Sequence, residues 1–557
     1  MMQVRIWHSQ YDAHVPRSLK YPHNTLIDLL KKSASKFPDK SCCLYQGVDY
    51  SYHEVNSFAT HLAKILIHLG LNVGDRVGVI FPNSPLFVTA FFATLKAGGI
   101  VVAINPRYTG YEIEEMIKTS QLKWLICLSE LKSDIDPIAI KYKIRVVVFA
   151  DVLKQADLIT SNQQHKDQRE IRKDLRIYDL NDLMNSKIPD HVLPNVDFNA
   201  PAIFQYTGGT TGTPKAAIGL HRNLVANTQQ FIAWCDLHEG QETILTAIPL
   251  YHVYGMVLTM CLGIALGARL LLIPDPRDIN EILSQIQHHR PTFFPGVPNM
   301  YYAITQHPDV SKGKIYLKSI KACISGSSPL HAEVKHQFEA LTGGRLMEGY
   351  GLSEAPTATH CNPLYGANKT GSIGLPLPDV DCRIVDLETG SHEVGIGEVG
   401  ELIIKGPQVM KGYHQMPEED KITLREGWLY TGDVARMDEE GYFYLIDRKK
   451  SLIKVGGLQV WPNEVEKIIC GHPAVADAGV AGVPDKTRGE KVIAWIMLKT
   501  NQILTQDEIK DWCKKKLVSY KIPTEIIIVD QLPRTSVGKV LRRKLISDYQ
   551  QEKEPDV

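Results

Sequence analysis

Arg76-Val77-Gly78-Val79-Ile80-Phe81, then Pro82-Asn83-Ser84, then a run of helical period from Pro85 to Ala97, then Ile100-Val101-Val102-Ala103-Ile104: here the chain alternates short apolar strands with helices. The alternation extends both ways. Leu26 to Phe37 and Tyr52 to Leu69 have helical apolar spacing, Glu112 to Ser120 repeats it, and Trp124-Leu125-Ile126-Cys127 is another apolar strand. Strands alternating with helices of this length predict parallel, doubly wound α/β layers. Strands that are apolar almost without interruption are those buried on both faces.

Moving outward, the polar stretch from Leu153 to Lys187 reads as a solvated surface segment. Gly255 to Ile273 is apolar, but Arg269 breaks it and glycines stand at 263 and 267. That pattern predicts a buried helix running into a strand rather than a membrane span, which needs about 20 apolar residues. Near residue 447 the texture changes. Strands 401–405 and 442–446 lie among glycine-rich turns, and a compact set follows: helix 463–470, strands 475–481 and 491–498, helix 506–517 and strand 525–529. The expected division is a large domain over 1–446 carrying a small β-rich subdomain, and a smaller α+β domain over 447–557, with a hinge at Asp447-Arg448-Lys449-Lys450.

Composition removes several functions. Lys plus Arg equals Asp plus Glu at 62 each, so no bulk charge favours nucleic acid. The cysteines form no Cys-x-x-Cys pair, so neither a zinc ribbon nor a thioredoxin-type centre is indicated. Met1 to His8 lacks the apolar core of a secretory signal, and Glu554-Pro555-Asp556-Val557 is no retention tag; a cytoplasmic protein, at most peripheral to a membrane, is expected.

Two segments carry chemistry. In Tyr206-Thr207-Gly208-Gly209-Thr210-Thr211-Gly212-Thr213-Pro214-Lys215 the glycines admit close backbone N–H approach, the threonines add hydroxyls and the lysine adds charge. That is the inventory of a phosphate cradle. It is not a Walker A loop, because Pro214 separates Gly212 from Lys215 and no helix can start there in that manner. In Glu348-Gly349-Tyr350-Gly351-Leu352-Ser353-Glu354 an aromatic between glycines can stack on a flat base, and Glu354 offers a hard oxygen suited to Mg²⁺. Taken singly, each has a plain alternative: a flexible loop for the first, a surface carboxylate for the second.

These motifs resemble the adenylate-forming superfamily of acyl-CoA synthetases, adenylation domains and beetle luciferases. The resemblance runs from about Leu26 to Leu545 with further motifs in family order: Pro249-Leu250-Tyr251-His252, Ser325-Gly326-Ser327-Ser328-Pro329-Leu330, Tyr430-Thr431-Gly432-Asp433, Lys454-Val455-Gly456-Gly457 and Pro533 to Lys539. Gly371 to Pro378, Gly406 to Tyr413 and Trp461 to Glu466 look most like bacterial long-chain fatty acid CoA ligases. The resemblance implies a ligase that makes an acyl-adenylate from a fatty acid and ATP with Mg²⁺, then passes the acyl group to coenzyme A. Another acid, a luciferase-like oxygenase and a silent nucleotide-binding homologue remain the alternatives, and oligomeric state stays open between monomer and homodimer.

By motif match, Thr207 through Gly212 and Lys215 hold the outer phosphates, and Thr207 and Glu354 stand near Mg²⁺. Gly326, Ser327 and Ser328 frame adenine with the segment Glu348, Gly349, Tyr350, Gly351, Leu352 and Ser353. Asp433 accepts from the ribose hydroxyls with Arg448 beside it. Lys539 bridges the carboxylate and the α-phosphate. His252 gates the acyl pocket. Rotation about Lys450 exchanges Lys539 for the Lys454 to Gly457 segment, whose Gly456 and Gly457 leave room for pantetheine. On composition alone Gly456-Gly457 is a plain turn, and Lys539, Arg542, Arg543 and Lys544 are a solvated basic tail; the motif lifts out Lys539 and leaves the other three as surface charge. Three departures from the family pattern stand out: Ala216 follows Lys215 where glycine is usual and is expected to tighten a turn, Ser451 replaces an aspartate common among the ligases, and Trp461 stands where tyrosine is frequent.

Overall fold

The computed structural model describes residues 5–151, 169–172, 175–207, 214–485, 487–534 and 540–553. The chain divides into two compact units, Met1–Asp381 with Lys405–Leu429, and Cys382–Ile404 with Tyr430–Val557.

In the first unit the strands around Arg76 form the doubly wound sheet their apolar runs predict. From edge to edge it runs Lys215–Leu220, Pro201–Thr207, Ile100–Ala103, Arg76–Ile80, Trp124–Leu128, Val146–Ala150, Leu175–Asp179, Arg169–Arg172. The six inner strands are parallel, and each edge strand pairs antiparallel. Val79, Ile126 and Val148 are at most 1% exposed, because helices cover both faces. The connecting helices start where the sequence supplies side-chain acceptors. Thr25, Ser51 and Thr109 each cap and form a reciprocal box with the acid three residues on, while Ser84 caps ahead of Pro85.

One expectation fails here. Residues from Leu175 on do not run over the surface: Leu175–Asp179 is a parallel strand of this sheet, and Leu175, Ile177, Leu180 and Leu183 are buried. Its alternating Leu-Arg-Ile-Tyr pattern is short and embedded in charge, so composition averaged over the segment hides it. Residues 152–168 and 173–174 of that segment lie outside the described residues.

The second sheet of this unit runs Leu375–Pro376, Ala355–Cys361, Arg345–Leu352, Ala322–Ser325, Phe293–Gly296, Thr243–Thr246, Arg269–Leu272, Ser41–Tyr45, Val48–Ser51. Its centre is parallel. Buried Asn83, just past the end of strand Arg76–Ile80, joins the two sheets. Its amide donates to the Thr246 and Ile248 carbonyls at 3.0 Å and accepts from Leu250 N–H at 2.7 Å. The apolar stretch from Val253 to Leu266 is a buried helix with a π-helical turn at Met256–Cys261, followed by strand Arg269–Leu272. Among the described residues no helix is long and apolar enough to cross a membrane.

The second unit holds two sheets. Strands Gly400–Lys405, Trp428–Met437 and Phe443–Arg448 make the small β-rich part. The α+β part has a sheet in the order Leu458–Val460, Ile453–Val455, Gly489–Leu498, Val475–Asp485, with Glu525–Ile528 parallel to Gly489–Leu498. Helices Pro462–Cys470 and Gln506–Lys514 bury Val465, Ile469, Ile509 and Cys513 on one face, and helix Arg542–Lys553 buries Leu545 and Tyr549 on the other. The compact units therefore part near residues 381, 405 and 430 rather than at 446, because the β-rich strands pack as one body with the α+β part.

Arg542 is not the surface charge its basic neighbours predict. Its guanidinium grips Glu466 at 2.9–3.1 Å, donates to the Asn463 side chain at 2.5 Å and reaches Asp447 at 3.5 Å, with its side chain 24% exposed. Burial raises the Glu466 carboxyl above the usual carboxylate range, and the Arg542 charge opposes that shift. Removing the guanidinium leaves a buried acid without its counter-charge. Arg542→Met is therefore expected to destabilise the protein by about 2–4 kcal/mol. The double variant Arg542→Met/Glu466→Leu should lose less than the single one, as read by urea unfolding. A double loss equal to the sum of the Arg542→Met and Glu466→Leu losses would mean the pair is not coupled.

Candidate functional site

In the first unit the chemistry-bearing residues gather where parallel strands stop. Thr207 ends strand Pro201–Thr207, and Lys215 begins its antiparallel neighbour directly opposite, so Thr207 and Lys215 are cross-strand partners. That Lys215 opens a strand and not a helix agrees with the position of Pro214. Ala216 is not in a turn: it is 4% exposed in the strand, paired with Tyr206, and its methyl packs into the sheet core. The Tyr206 hydroxyl is bonded to Thr119 and to the Met116 carbonyl. Gly208, Gly209, Thr210, Thr211 and Gly212 lie outside the described residues.

Strand Arg345–Leu352 carries the second motif and turns back at Ser353 and Glu354 into Ala355–Cys361. The hairpin is tight. A Cβ on Gly351 would stand 1.7 Å from the Thr357 carbonyl oxygen, so only glycine fits. Tyr350 is 8% exposed and lies edge-on to His360, its cross-strand partner, at 5.8 Å. Burial pushes the His360 pKa down to about 3, leaving a neutral ring. Glu348 is buried and accepts from the backbone N–H groups of Leu330 and Gly371; burial pushes it up to about 7, the two donors opposing. It thereby ties the loop after strand Ala322–Ser325 to this strand. That loop holds buried Gly326, whose N–H reaches the Gly296 carbonyl at 3.2 Å, and Ser327 at φ 73°, with Ser328 half-buried.

Glu354 is held by Tyr413, the last residue of the Gly406 to Tyr413 string. Its Oε1 accepts from the Tyr413 hydroxyl at 2.7 Å, and its carbonyl accepts from Met410 N–H at 2.8 Å. Tyr413 is 7% exposed, and Lys215 Nζ lies 5.5 Å from its ring centroid. Burial, reinforced by the Glu354 charge, pushes the phenol pKa well above its ordinary value. Lys215 Nζ in turn pairs with Glu419 at 2.5 Å. The string marks the tyrosine by resemblance but says nothing of its partner, and a glutamate in the first turn of helix Pro417–Thr423 carries no signal of its own in a sequence. The oxygen donors Glu354 and Thr207 are of the hard type that suits Mg²⁺.

His252 is half-buried and caps the apolar helix, its Nδ1 accepting from Tyr254 N–H at 3.2 Å. Asn83, through Leu250, fixes the turn that carries it. Tyr254 spans the Gly296 and Ile324 carbonyls at 2.9 and 2.7 Å, which makes it a core strut.

In the second unit Asp433 and Arg448 are cross-strand partners joined by an ion pair of 3.0 Å, with Asp433 6% and Arg448's side chain 48% exposed. Thr431 and Gly432 anchor the segment through the Leu402 carbonyl and Glu401, and Lys449 pairs with Glu401 at 2.7 Å. Lys450 is exposed, and Lys454 lies in strand Ile453–Val455. Gly456 and Gly457, at φ 58° and 83°, form the two-residue turn between that strand and Leu458–Val460. Positive φ at both positions accounts for the glycine pair by itself. Lys539 lies outside the described residues.

The family model described as AMP-binding enzyme matches residues 30–414, and that described as AMP-binding enzyme C-terminal domain matches 464–539. A long-chain-fatty-acid–CoA ligase of Bacillus subtilis (strain 168) is 40% identical over 98% of this chain and 99% of its own. One from Escherichia coli O6:H1 is 33% identical over 97% and 98%. Among solved structures, ATP-bound MatB from Rhodopseudomonas palustris superposes with a TM-score of 0.83 at 28% identity, covering 95% of this chain and all of that one. The anthranilate CoA ligase AuaEII with anthranoyl-AMP gives 0.82 at 26% identity, over 95% and 98%. With its two compact units and its motifs on the strand ends, the chain belongs to the AMP-binding enzyme family.

Proposed function

We propose that this protein is an ATP-dependent CoA ligase for a long-chain fatty acid, working through an acyl-adenylate. The observation that carries the reading is the cluster at the strand ends: Lys215 and Glu354, a cation and an acid from distant parts of the chain, both against Tyr413. Likeness over nearly the full length to ligases named for long-chain fatty acids supports the substrate.

Attack of the carboxylate on the α-phosphate is an in-line displacement, so the chain's task is to position the reactants and stabilise charge. Lys215 and the backbone after Thr207 would hold the outer phosphates. Glu354 and Thr207 would hold Mg²⁺, which when bound neutralises phosphate charge. The loop from Gly326 to Ser328, set by Glu348, would flank adenine, and the Asp433 carboxylate, braced by Arg448, would accept from the ribose hydroxyls. Lys539 would stabilise the charge that builds on the α-phosphate oxygens. A pivot at Asp447 to Lys450 would then serve transfer to CoA, with the Lys454 to Gly457 hairpin replacing Lys539. His252, fixed as a helix cap, would border the acyl chain. The chain works in the cytoplasm, with peripheral contact at a membrane for its lipid substrate.

A second reading keeps the mechanism and changes the acid, since a probable 4-coumarate–CoA ligase 1 of Dictyostelium discoideum is 32% identical over 94% of this chain. Acid-dependent pyrophosphate release, run with acetate, octanoate, palmitate, benzoate and 4-coumarate, separates the two. We expect the highest kcat/KM with palmitate, and a loss of about 10²–10³-fold in Lys539→Ala. A maximum at 4-coumarate would transfer the protein to the aromatic acids, and silence with every acid would overturn the ligase reading.

Glu348 adds a pH dependence. Its folded pKa of about 7 lies above the ordinary 4.5, so the stability it contributes is full below about pH 4.5 and is lost as pH rises through 7. The linked free energy is about 3 kcal/mol. Glu348→Gln should lack that loss, so its unfolding free energy should change less than the native protein's between pH 5 and 8. Parallel profiles would contradict the assignment.

A further inference from the structure

Tyr413, the last residue of the Gly406 to Tyr413 string, stands at the centre of a small structure to which the string itself assigns no role. Residues 411–414 lie along strand Lys215–Leu220 as an added backbone partner. Lys411 N–H donates to the Ile218 carbonyl at 3.0 Å, Ile218 N–H to Gly412 at 2.9 Å and His414 N–H to Ala216 at 2.9 Å, with a bridge between Ala217 and Tyr413. This pairing fixes the tyrosine's backbone against the strand that Lys215 begins. Asp420 accepts from Tyr413 N–H at 2.7 Å, and Ala217, Met410, Met416 and Leu424 pack round the ring. The side chain has little freedom left, and its one polar atom donates to Glu354.

The consequences for the two charged groups differ. Glu354 sits in a turn, where a carboxylate on three rotatable bonds would otherwise sample many positions. The phenol engages Oε1 and leaves Oε2 with no partner among the described residues. Lys215 is a four-carbon stem whose ammonium rests near the aromatic ring and pairs with Glu419. The attraction of a cation to an aromatic face is generally weaker than a hydrogen bond to a charged group. The hydroxyl is therefore the stronger of the two devices.

We propose that Tyr413 is a positioning residue for adenylation: its hydroxyl orients the Glu354 carboxylate toward the divalent cation while its ring seats Lys215. The proposal rests on the reading of Glu354 and Lys215 as cation- and phosphate-handling groups. Tyr413 itself touches neither substrate nor metal. It acts through Glu354, so its effect must vanish when the Glu354 carboxylate is gone.

Tyr413→Phe in the full chain removes the hydroxyl and keeps the ring. Mn²⁺ binding in the presence of a non-hydrolysable ATP analogue, followed by electron paramagnetic resonance, reads the cation site without turnover. We expect a Kd for Mn²⁺ raised about tenfold or more. Acid-dependent ATP–pyrophosphate exchange should fall by a similar factor in kcat, with the KM for the acid unchanged. Transfer of a preformed acyl-adenylate to CoA should keep its native rate. In the Glu354→Gln background the same substitution should add less than twofold to either loss, since neighbours acting as one unit are not additive.

A native Kd for Mn²⁺ in Tyr413→Phe would overturn the proposal, and so would a loss as large in the Glu354→Gln background or in acyl transfer to CoA. Should Tyr413→Phe unfold early, Tyr413→Trp keeps an aromatic bulk without the hydroxyl and is judged by the same titration. A native protein inactive with every acid would sink the ligase reading, while the Mn²⁺ titration would still decide what Tyr413 does.

Discussion

A parallel strand buried on both faces can offer polar groups to a ligand only where it stops, and that constraint governs where chemistry can sit in this protein. Between Ile100 and Val148 the strands have no exposed face. Polar residues of the first unit accordingly collect just past strand ends: Asn83 after Arg76–Ile80, Thr207 at the end of Pro201–Thr207, Gly326 to Ser328 after Ala322–Ser325, and Glu354 after Arg345–Leu352. In open α/β sheets ligands are bound outside the carboxyl ends of strands, for this reason. Asn83 then has a part beyond its own strand, because its amide holds the end of one sheet against the turn that leads to His252.

Within that frame the charged groups are held by residues whose identity is chemical rather than positional. Lys215 has Glu419, Glu354 has Tyr413, Asp433 has Arg448 and Lys449 has Glu401. Each pair lies within one compact unit. The loop beside the adenine motif is held in another way, by a buried carboxyl that accepts backbone N–H groups and meets burial with a raised pKa. The glycine pair Gly456-Gly457 illustrates the limit of reading a role from a motif. Positive φ at both positions favours glycine for the hairpin alone, whatever further use is proposed for the pair.

Much of the fold was legible because the deciding signals are local. Apolar runs such as Ile100 to Ile104 and capped helices such as Tyr52–His68 appear as their period predicts, to within a residue or two. What escaped was tertiary. Leu175–Asp179 is a core strand hidden in a charge-rich segment, and Arg542 is an ion-pair hub inside a basic run. Ala216 is a strand residue where motif comparison suggested a turn. Of the candidate residues, Lys215 and Glu354 in the first unit and Asp433 and Arg448 in the second are picked out by motifs, since glycines and charges at set spacing are visible in one dimension. Tyr413 closes the Gly406 to Tyr413 string, but neither its partner nor the part of Glu419 shows there: both come from a chain crossing some two hundred residues after Lys215 in sequence, and only the folded chain brings them to it.

The central claim is that the carboxyl oxygen of the acid attacks the α-phosphate of ATP. Palmitate labelled with ¹⁸O in both carboxyl oxygens, turned over with ATP, Mg²⁺ and CoA, tests it directly when AMP and pyrophosphate are analysed by mass spectrometry. One ¹⁸O in each AMP and none in pyrophosphate is the predicted result. Unlabelled AMP, or label in pyrophosphate or orthophosphate, would contradict an acyl-adenylate route and with it the roles given to the residues at the strand ends.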